Sequence, residues 1–406
     1  MFPSLSTVSA IQALFIVSSL ARPWAEPANS PFKSTTGFSN PTFSTSAGGF
    51  ADCISGHINL PITSPSTKLL ITEPKDQYSL TATFFDFLKA NSSLATTING
   101  GPSTVSGNFN IAAKLCYPKN WSCESGNATV QFLTHGIGFN QSYWDFAEGY
   151  SFIDVAAKAG YPTFSFDRLG VGASDHPDPI QVVQARIQVQ IIHSLVSLLR
   201  ASKLANQAFK NVIGVGHSFG SIQSVGLLSI YPKDFDAVVL TGFSTSSLAI
   251  PLTFADFNSA IANQNQPARF AGLPNGYLVV DNAIGDQTAF YAYPNFDPAL
   301  FLNADTHKQT FTLGEFFTLT SIIAPSPNFT GPVDAVIGEF DFIFAQGNAS
   351  YPTDQAALVQ PALFPGARRE GSRSLIVGGA GHAINLHFEA QEMFGHVQGF
   401  VGGNGF

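Results

Sequence analysis

Charge is scarce in this sequence. Asp, Glu, Lys and Arg together make up 11% of its 406 residues, and the 27 acids against 19 bases leave a formal net charge of −8. Lys and Arg form no run anywhere in the chain. A chain without a basic stripe has nothing to neutralise a phosphate backbone, which excludes nucleic acid as the expected partner. Cysteine is limited to three residues, Cys53, Cys116 and Cys123. They lack the matched histidine spacing of a zinc site, so no metal is expected, and nothing else in the sequence calls for an organic cofactor. No apolar run is long enough for a membrane span, and no internal repeat points to a solenoid. What is abundant is apolar bulk. Hydrophobic residues reach 45%, and Phe alone contributes 38. A chain of this length and composition buries a large core, and one enlarged domain with an insertion suits it better than two equal domains.

The one early apolar run, residues 10–20, is followed by Ala21 with Ser19 two positions before it. That pattern reads as the apolar region of a signal peptide with a small-x-small cleavage site, giving residues 1–21 as a leader even though no Lys or Arg precedes the run. Six Asn-x-Ser/Thr sequons agree with a secreted or secretory-pathway protein: Asn91, Asn120, Asn127, Asn140, Asn328 and Asn348. In such a compartment cysteines pair. Cys116 and Cys123 bracket the turn-rich stretch Tyr-Pro-Lys-Asn-Trp-Ser, and are the expected disulfide with Cys53 left free. Pairing of Cys53 with either of them is the alternative.

Residues 22–107 are rich in Ser, Thr, Pro, Asn and Gly and read as an irregular lead-in with a helical patch at 84–89. From residue 108 the texture becomes regular. Residues 109–115 alternate as a half-exposed strand, and 129–134 read as the next strand of a hairpin. Helix-like 145–159, strand 163–166, helix 181–201, strand 212–215, a helix after Ser218 and strand 237–240 then succeed one another. Strands alternating with helices predict a mostly parallel sheet with helices on both faces, whose chemistry gathers at the C-terminal strand ends. The alternation stops over 245–332, which holds aromatic and Pro-rich pieces and a helix-like run at 311–323. It resumes with strands at 333–338 and 374–379 and a last helix at 384–397. The core is thus 108–244 and 333–406, and 245–332 is an inserted cap whose aromatics suit an apolar pocket.

The chain is organised around Gly216-His217-Ser218-Phe219-Gly220, which follows the β-branched run 212–215 and precedes a helical pattern. Glycines flanking a serine at so sharp a strand-to-helix bend leave its hydroxyl exposed above helix N–H groups. A serine hydroxyl needs a base to take its proton, and the base needs a carboxylate to orient it. Asp341 lies just past the end of strand 333–338, in Gly338-Glu339-Phe340-Asp341, and His382 closes Gly378-Gly379-Ala380-Gly381-His382 after the next strand. Glu339 competes for the acid role and His387 for the base. Asp341 is preferred as the shorter side chain beyond the strand end, and His382 for the small residues around it. A developing oxyanion needs preorganised donors. These are expected from the backbone N–H of Phe219 and that of Ile137, in Thr134-His135-Gly136-Ile137-Gly138. His135, set before Gly, reads as a brace for that loop.

His-Gly-x-Gly after one strand, Asp167-Arg168-Leu169-Gly170-Val171-Gly172-Ala173-Ser174 after the next, then Gly-His-Ser-Phe-Gly, Gly-x-x-Asp and Gly-x-Gly-His together resemble the α/β-hydrolase superfamily, and within it capped, secreted fungal members. The resemblance covers about residues 108–244 and 333–400. It implies that Ser218, Asp341 and His382 form a triad, that Asp167 and Arg168 brace the active-site loops, and that 245–332 is a cap. The expected activity is a serine hydrolase acting on an ester, lactone or thioester of a small apolar or aromatic molecule. A non-hydrolytic reaction on a secondary metabolite, and a catalytically silent binding protein, are the alternatives. The lead-in departs from the compact family pattern.

Overall fold

The computed structural model describes residue 32 and residues 34–119, 121–122 and 128–406. The expected signal peptide, Cys123, Asn120 and Asn127 lie outside the described residues. In chain order the strands β1 (Ser39–Thr45), β2 (Ala51–Leu69), β3 (Asn99–Pro118), β4 (Thr129–Thr134), β5 (Thr163–Phe166), β6 (Asn211–His217) and β7 (Ala237–Thr241) come first. The short β8 (Ala260–Ile261), β9 (Tyr277–Val279) and β10 (Phe311–Thr312) form a separate small sheet, and β11 (Val333–Gly338) and β12 (Arg373–Val377) rejoin the large one.

The large sheet has the order β1-β2-β3-β5-β4-β6-β7-β11-β12. Pairing is antiparallel from β1 to β5 and parallel from β5 to β12. The α/β fold expected from the alternation of strands and helices is therefore present. Val212, Ile213 and Val215 on β6 and Ala237 to Leu240 on β7 are fully buried, as a parallel strand covered on both faces requires. One cover is the helix pair Ala185–Arg200 and Phe219–Ile230. Another joins Phe152–Lys158 to Ala390–Gly403 through the rings of Phe152 and Phe394, 5.4 Å apart. The helix expected over 145–159 is confined to Phe152–Lys158, because Gly149 turns the chain with a positive φ of 83° and Ser151 then caps the helix by accepting from the Asp154 N–H.

Three sequence expectations need correction. First, β4 does not form a hairpin with β3. It pairs in parallel with β5 and β6, while β3 turns its inner edge to β5, with Ala113 opposite Phe166 and Cys116 opposite Thr163. Second, most of the described part of the lead-in is regular. β2 and β3 run antiparallel in register from Ala51 opposite Pro118 to Thr67 opposite Pro102. Beyond the end of β1 the outer edge of β2 has no strand partner among the described residues, so the missing N–H groups of Pro61 and Pro65 remove no ladder bond there. Side-chain amides fill part of that edge instead. Gln184 accepts from Thr67 N at 3.0 Å and donates to Thr67 O at 2.8 Å, and Gln181 does the same with Leu69 at 3.3 and 2.8 Å.

Third, the disulfide joins Cys53 to Cys116, not Cys116 to Cys123, and Cys53 is not free. The reason is register. Cys53 and Cys116 are directly opposite each other on β2 and β3, with Cα atoms 4.0 Å apart. The pair closes a sequence separation of 63 residues, and a loop of that size constrains the unfolded chain by about 4 kcal/mol. Non-reducing peptide mapping will return a Cys53–Cys116 cross-link, and the Cys53→Ala/Cys116→Ala variant will unfold at markedly lower urea concentration than the native protein.

Candidate active site

The elbow forms because only glycine fits on either side of the serine. A Cβ on Gly216 would lie 2.6 Å from the carbonyl oxygen of Gly220, and one on Gly220 would lie 2.1 Å from that of Thr134. The strand can therefore pass directly under the helix start. Ser218 takes up the bend itself, with φ 55° and ψ −118°, a conformation that costs a side-chain-bearing residue about 1–3 kcal/mol and persists only where its surroundings enforce it. Ser218 N donates to Thr241 O at 2.9 Å, which ties the bend to β7. Phe219 begins the helix, where its N–H has no intrahelical acceptor.

Asp341 and His382 meet as the sequence reading requires. Asp341 follows β11 and caps the helix Phe342–Ala345, accepting from Phe344 N at 2.9 Å with Oδ1. Its Oδ2 accepts from His382 Nδ1 at 2.8 Å, and both side chains are fully buried. With the proton on Nδ1, Nε2 carries the lone pair, and Nε2 is buried without a partner. No hydrogen bond joins it to Ser218. The two alternatives have other work. Glu339 accepts from Gly379 N at 2.9 Å. His387 Nε2 accepts from the N–H groups of Ala292 and Gly381, both at 3.0 Å, so its proton sits on Nδ1 and is donated to Ala383 O at 2.9 Å. His135 is likewise a brace, accepting from Arg168 N at 3.1 Å and pairing with Gly136 O at 2.9 Å.

His217 lies within the elbow motif, and no sequence signal marks it for a role of its own. Its ring is fully buried, stacks on Tyr143 at 4.5 Å and lies 4.9 Å from the His382 ring. Thr241 Oγ1 donates to Gly216 O, so His217 Nδ1 donates to Thr241 at 3.2 Å and its Nε2 stays without a partner. Burial, with the neighbouring His382 and His135 imidazoles, holds its pKa well below the usual value, keeping it neutral beside the base.

Ser218, Phe219 and Ile137 line one apolar cavity with Phe254, Phe257, Phe290 and Phe344. The rings of Phe290 and Phe344 also touch His382, each with its centroid 5.8 Å away. The open space measures about 390 Å³, of which only about 30 Å³ admits the centre of a water molecule. Thr253 adds no free polar group, since its hydroxyl donates to Ala249 O at 2.9 Å. The lining of the cavity is held from two sides, at Phe219 and at Phe254. Arg168 pairs with Glu315, both fully buried, and lies over the Phe219 ring at 4.8 Å. From the N-terminal side, the helix Gln77–Leu88 brings Phe84 to 4.9 Å from Phe316, which in turn packs at 4.3 Å on Phe254.

The model of the alpha/beta hydrolase family matches residues 132–394, well over half of the sequence and all three candidate side chains. The chain belongs to that family. No curated protein matches the sequence. Among solved structures, this alpha/beta hydrolase is similar to an esterase of Thermogutta terrifontis at TM-score 0.50 and 12% identity, over 74% of this chain and 96% of that one. It is also similar to an esterase of Exiguobacterium antarcticum (0.48, 15%, 72% and 96%). An epoxide hydrolase of Vigna radiata shows a similar likeness (0.47, 15%, 72% and 95%). At these identities the likeness is one of fold.

The buried imidazoles also set the hydrolase's response to acid. Burial pushes His387 down to about 4 from its ordinary 6.5. Between those values the unfolded chain binds the proton and the folded one does not, so stability falls as pH drops from about 6.5 to about 4, by about 2–3 kcal/mol for this group. Urea unfolding at about pH 7.5 and about pH 4.5 will show the native protein losing that much more stability than His387→Gln.

Proposed function

We propose that this alpha/beta hydrolase is a serine hydrolase that cleaves an ester, lactone or thioester of a small apolar or aromatic substrate through an acyl-enzyme. The observation that carries the reading is the His382 imidazole. It is oriented by Asp341 through Nδ1, keeps an unpartnered Nε2, and is flanked by the same Phe290 and Phe344 rings that wall the cavity of Ser218. A substrate in that cavity draws Ser218 Oγ and His382 Nε2 into hydrogen-bonding distance, a contact often long in an empty site.

Ser218 Oγ then forms a bond to the carbonyl carbon as its proton passes to His382 Nε2. Asp341 stabilises the imidazolium without taking the proton. The N–H groups of Phe219 and Ile137 receive the oxyanion. Collapse expels the alcohol or thiol, which leaves with the proton from Nε2, and a water deprotonated by the same nitrogen releases the acid and restores Ser218. The cavity wall, which is aromatic and aliphatic with no free polar side chain beyond the serine, favours an apolar acyl or aryl group. Residues 245–332 act as a cap, and the narrow free space requires that cap to move for substrate entry.

We propose secretion on separate grounds. The Cys53–Cys116 disulfide suits an oxidising compartment, and the sequon residues Asn91, Asn328 and Asn348 are exposed.

A fluorophosphonate will label the folded protein on Ser218, and Ser218→Ala will abolish both labelling and ester hydrolysis. Asp341→Asn will lower kcat by about 10³–10⁴ with a smaller change in KM. Undiminished turnover of the natural substrate by Ser218→Ala would instead assign the chemistry to a non-hydrolytic reaction.

A further inference from the structure

Behind the loop that carries Ile137 lies a second, smaller cavity of about 210 Å³, of which about 10 Å³ admits the centre of a water molecule. Gly138 and Phe290 form one side of it, so the Phe290 ring is a wall common to this cavity and to that of Ser218. Its other side is polar. Asp286 and Tyr291 line it and are at least nine-tenths buried; the Tyr291 hydroxyl has no hydrogen-bond partner among the described residues, and Asp286 Oδ2 is held only by the neighbouring charged groups. Lys308, also buried, donates to Asp305 at 2.9 Å and stands 3.9 Å from Asp286 Oδ2.

A tyrosine hydroxyl left without a hydrogen bond in so dry a place is destabilising unless something hydrogen-bonds to it, and the weakly held Asp286 Oδ2 beside it is a second polar atom open to the same group. The size of the free space limits that something to a group as large as one water. Charge limits it further. The Lys308 ammonium already occupies the cationic position between two carboxyls, so a second cation is opposed. An anion would face Asp286 and Asp305. Burial raises the Asp286 pKa well above the ordinary carboxylate range, against the pull of the Lys308 ammonium and with the Asp305 carboxyl adding to the rise, so the cluster is already supplied with charge of both signs and a neutral group fits beside Tyr291.

We infer that this cavity is a subsite for a single neutral hydroxyl of the substrate, held by Asp286 and Tyr291 while the apolar body of the same molecule occupies the Ser218 cavity on the other side of Phe290. The inference rests on the proposed function and narrows its substrate class to hydroxyl-bearing apolar esters, lactones or thioesters. A site built to hydrogen-bond a hydroxyl discriminates steeply against the analogue that lacks it, because its own buried groups are then left unpaired.

The test is binding to full-length Ser218→Ala protein, measured calorimetrically. The ligands are ethyl esters of straight-chain acids of about six to ten carbons, each compared with its ω-hydroxy counterpart. At one or more chain lengths the hydroxy ester will bind at least about tenfold tighter. Tyr291→Phe or Asp286→Asn, made on the same background, will bring that ratio within about threefold. A ratio near one at every chain length, or a preference that survives both substitutions, would overturn the inference and leave the cavity as the seat of a structural water. Hydrolysis of the same esters by the unmodified protein is followed separately. A retained binding preference without any hydrolysis would strike the serine-hydrolase reading and leave the subsite standing.

Discussion

The whole arrangement hangs on one strained residue. Ser218 adopts a left-handed backbone conformation between a strand and a helix that approach too closely for a side chain at Gly216, with the end of β4 excluding one at Gly220. That single bend places Ser218 and Phe219 on the wall of one cavity and sets the His217 ring 4.9 Å from the His382 ring. A relaxed turn would deliver none of these together. The strain is maintained by burial on all sides, with β7 holding the Ser218 N–H and the neighbouring strands filled by aliphatic side chains.

The same bend is coupled to the segment above it. Arg168, in the loop after β5, packs on Phe219 and pairs with Glu315 in the segment 245–332, and Gln188 from the helix Ala185–Arg200 adds a hydrogen bond to that carboxylate at 2.8 Å. An ion pair buried this deeply contributes little net stability, but loss of one partner strands the other charge in an apolar interior. Its consequence is geometric, since it ties the loop after β5 to the segment 245–332. The N-terminal ribbon adds a second constraint. It carries the helix Gln77–Leu88 to the segment 245–332, where Gln77 donates to Ser259 O at 2.9 Å and accepts from Ile261 N at 3.0 Å. What departs from a compact family pattern in the sequence is therefore a support for the wall of the cavity.

The central sheet and the approach of Asp341 to His382 were legible because their signals are local. Continuous apolar runs such as 212–215 mark buried parallel strands, and small residues with an acid or histidine just past two strand ends mark the loops where chemistry collects. The ribbon was not legible for a physical reason. Its buried face places Ser64 and Ser66 where a sheet buried on both sides would carry Val or Ile, and its open edge tolerates Pro61 and Pro65. Both features read as loop. The disulfide followed from the same gap, since Cys53 faces Cys116 only once the register of β2 on β3 is known. Pairing of β3 with β5 is a non-local choice that no sequence window contains. The Asp286 and Tyr291 cavity was hidden likewise, because neither residue sits in a motif and its lining, from Gly138 to Lys308, comes together only in the folded chain.

The most direct test of the central claim is a crystal structure of the protein after reaction with a fluorophosphonate, which mimics the tetrahedral intermediate. The account predicts phosphorus bonded to Ser218 Oγ, a phosphoryl oxygen about 2.7–3.1 Å from the N–H nitrogens of both Phe219 and Ile137, and His382 Nε2 within hydrogen-bonding reach of the adduct. Phosphorus on another residue, or an adduct on Ser218 with His382 turned away and the two N–H groups bonded elsewhere, would contradict it.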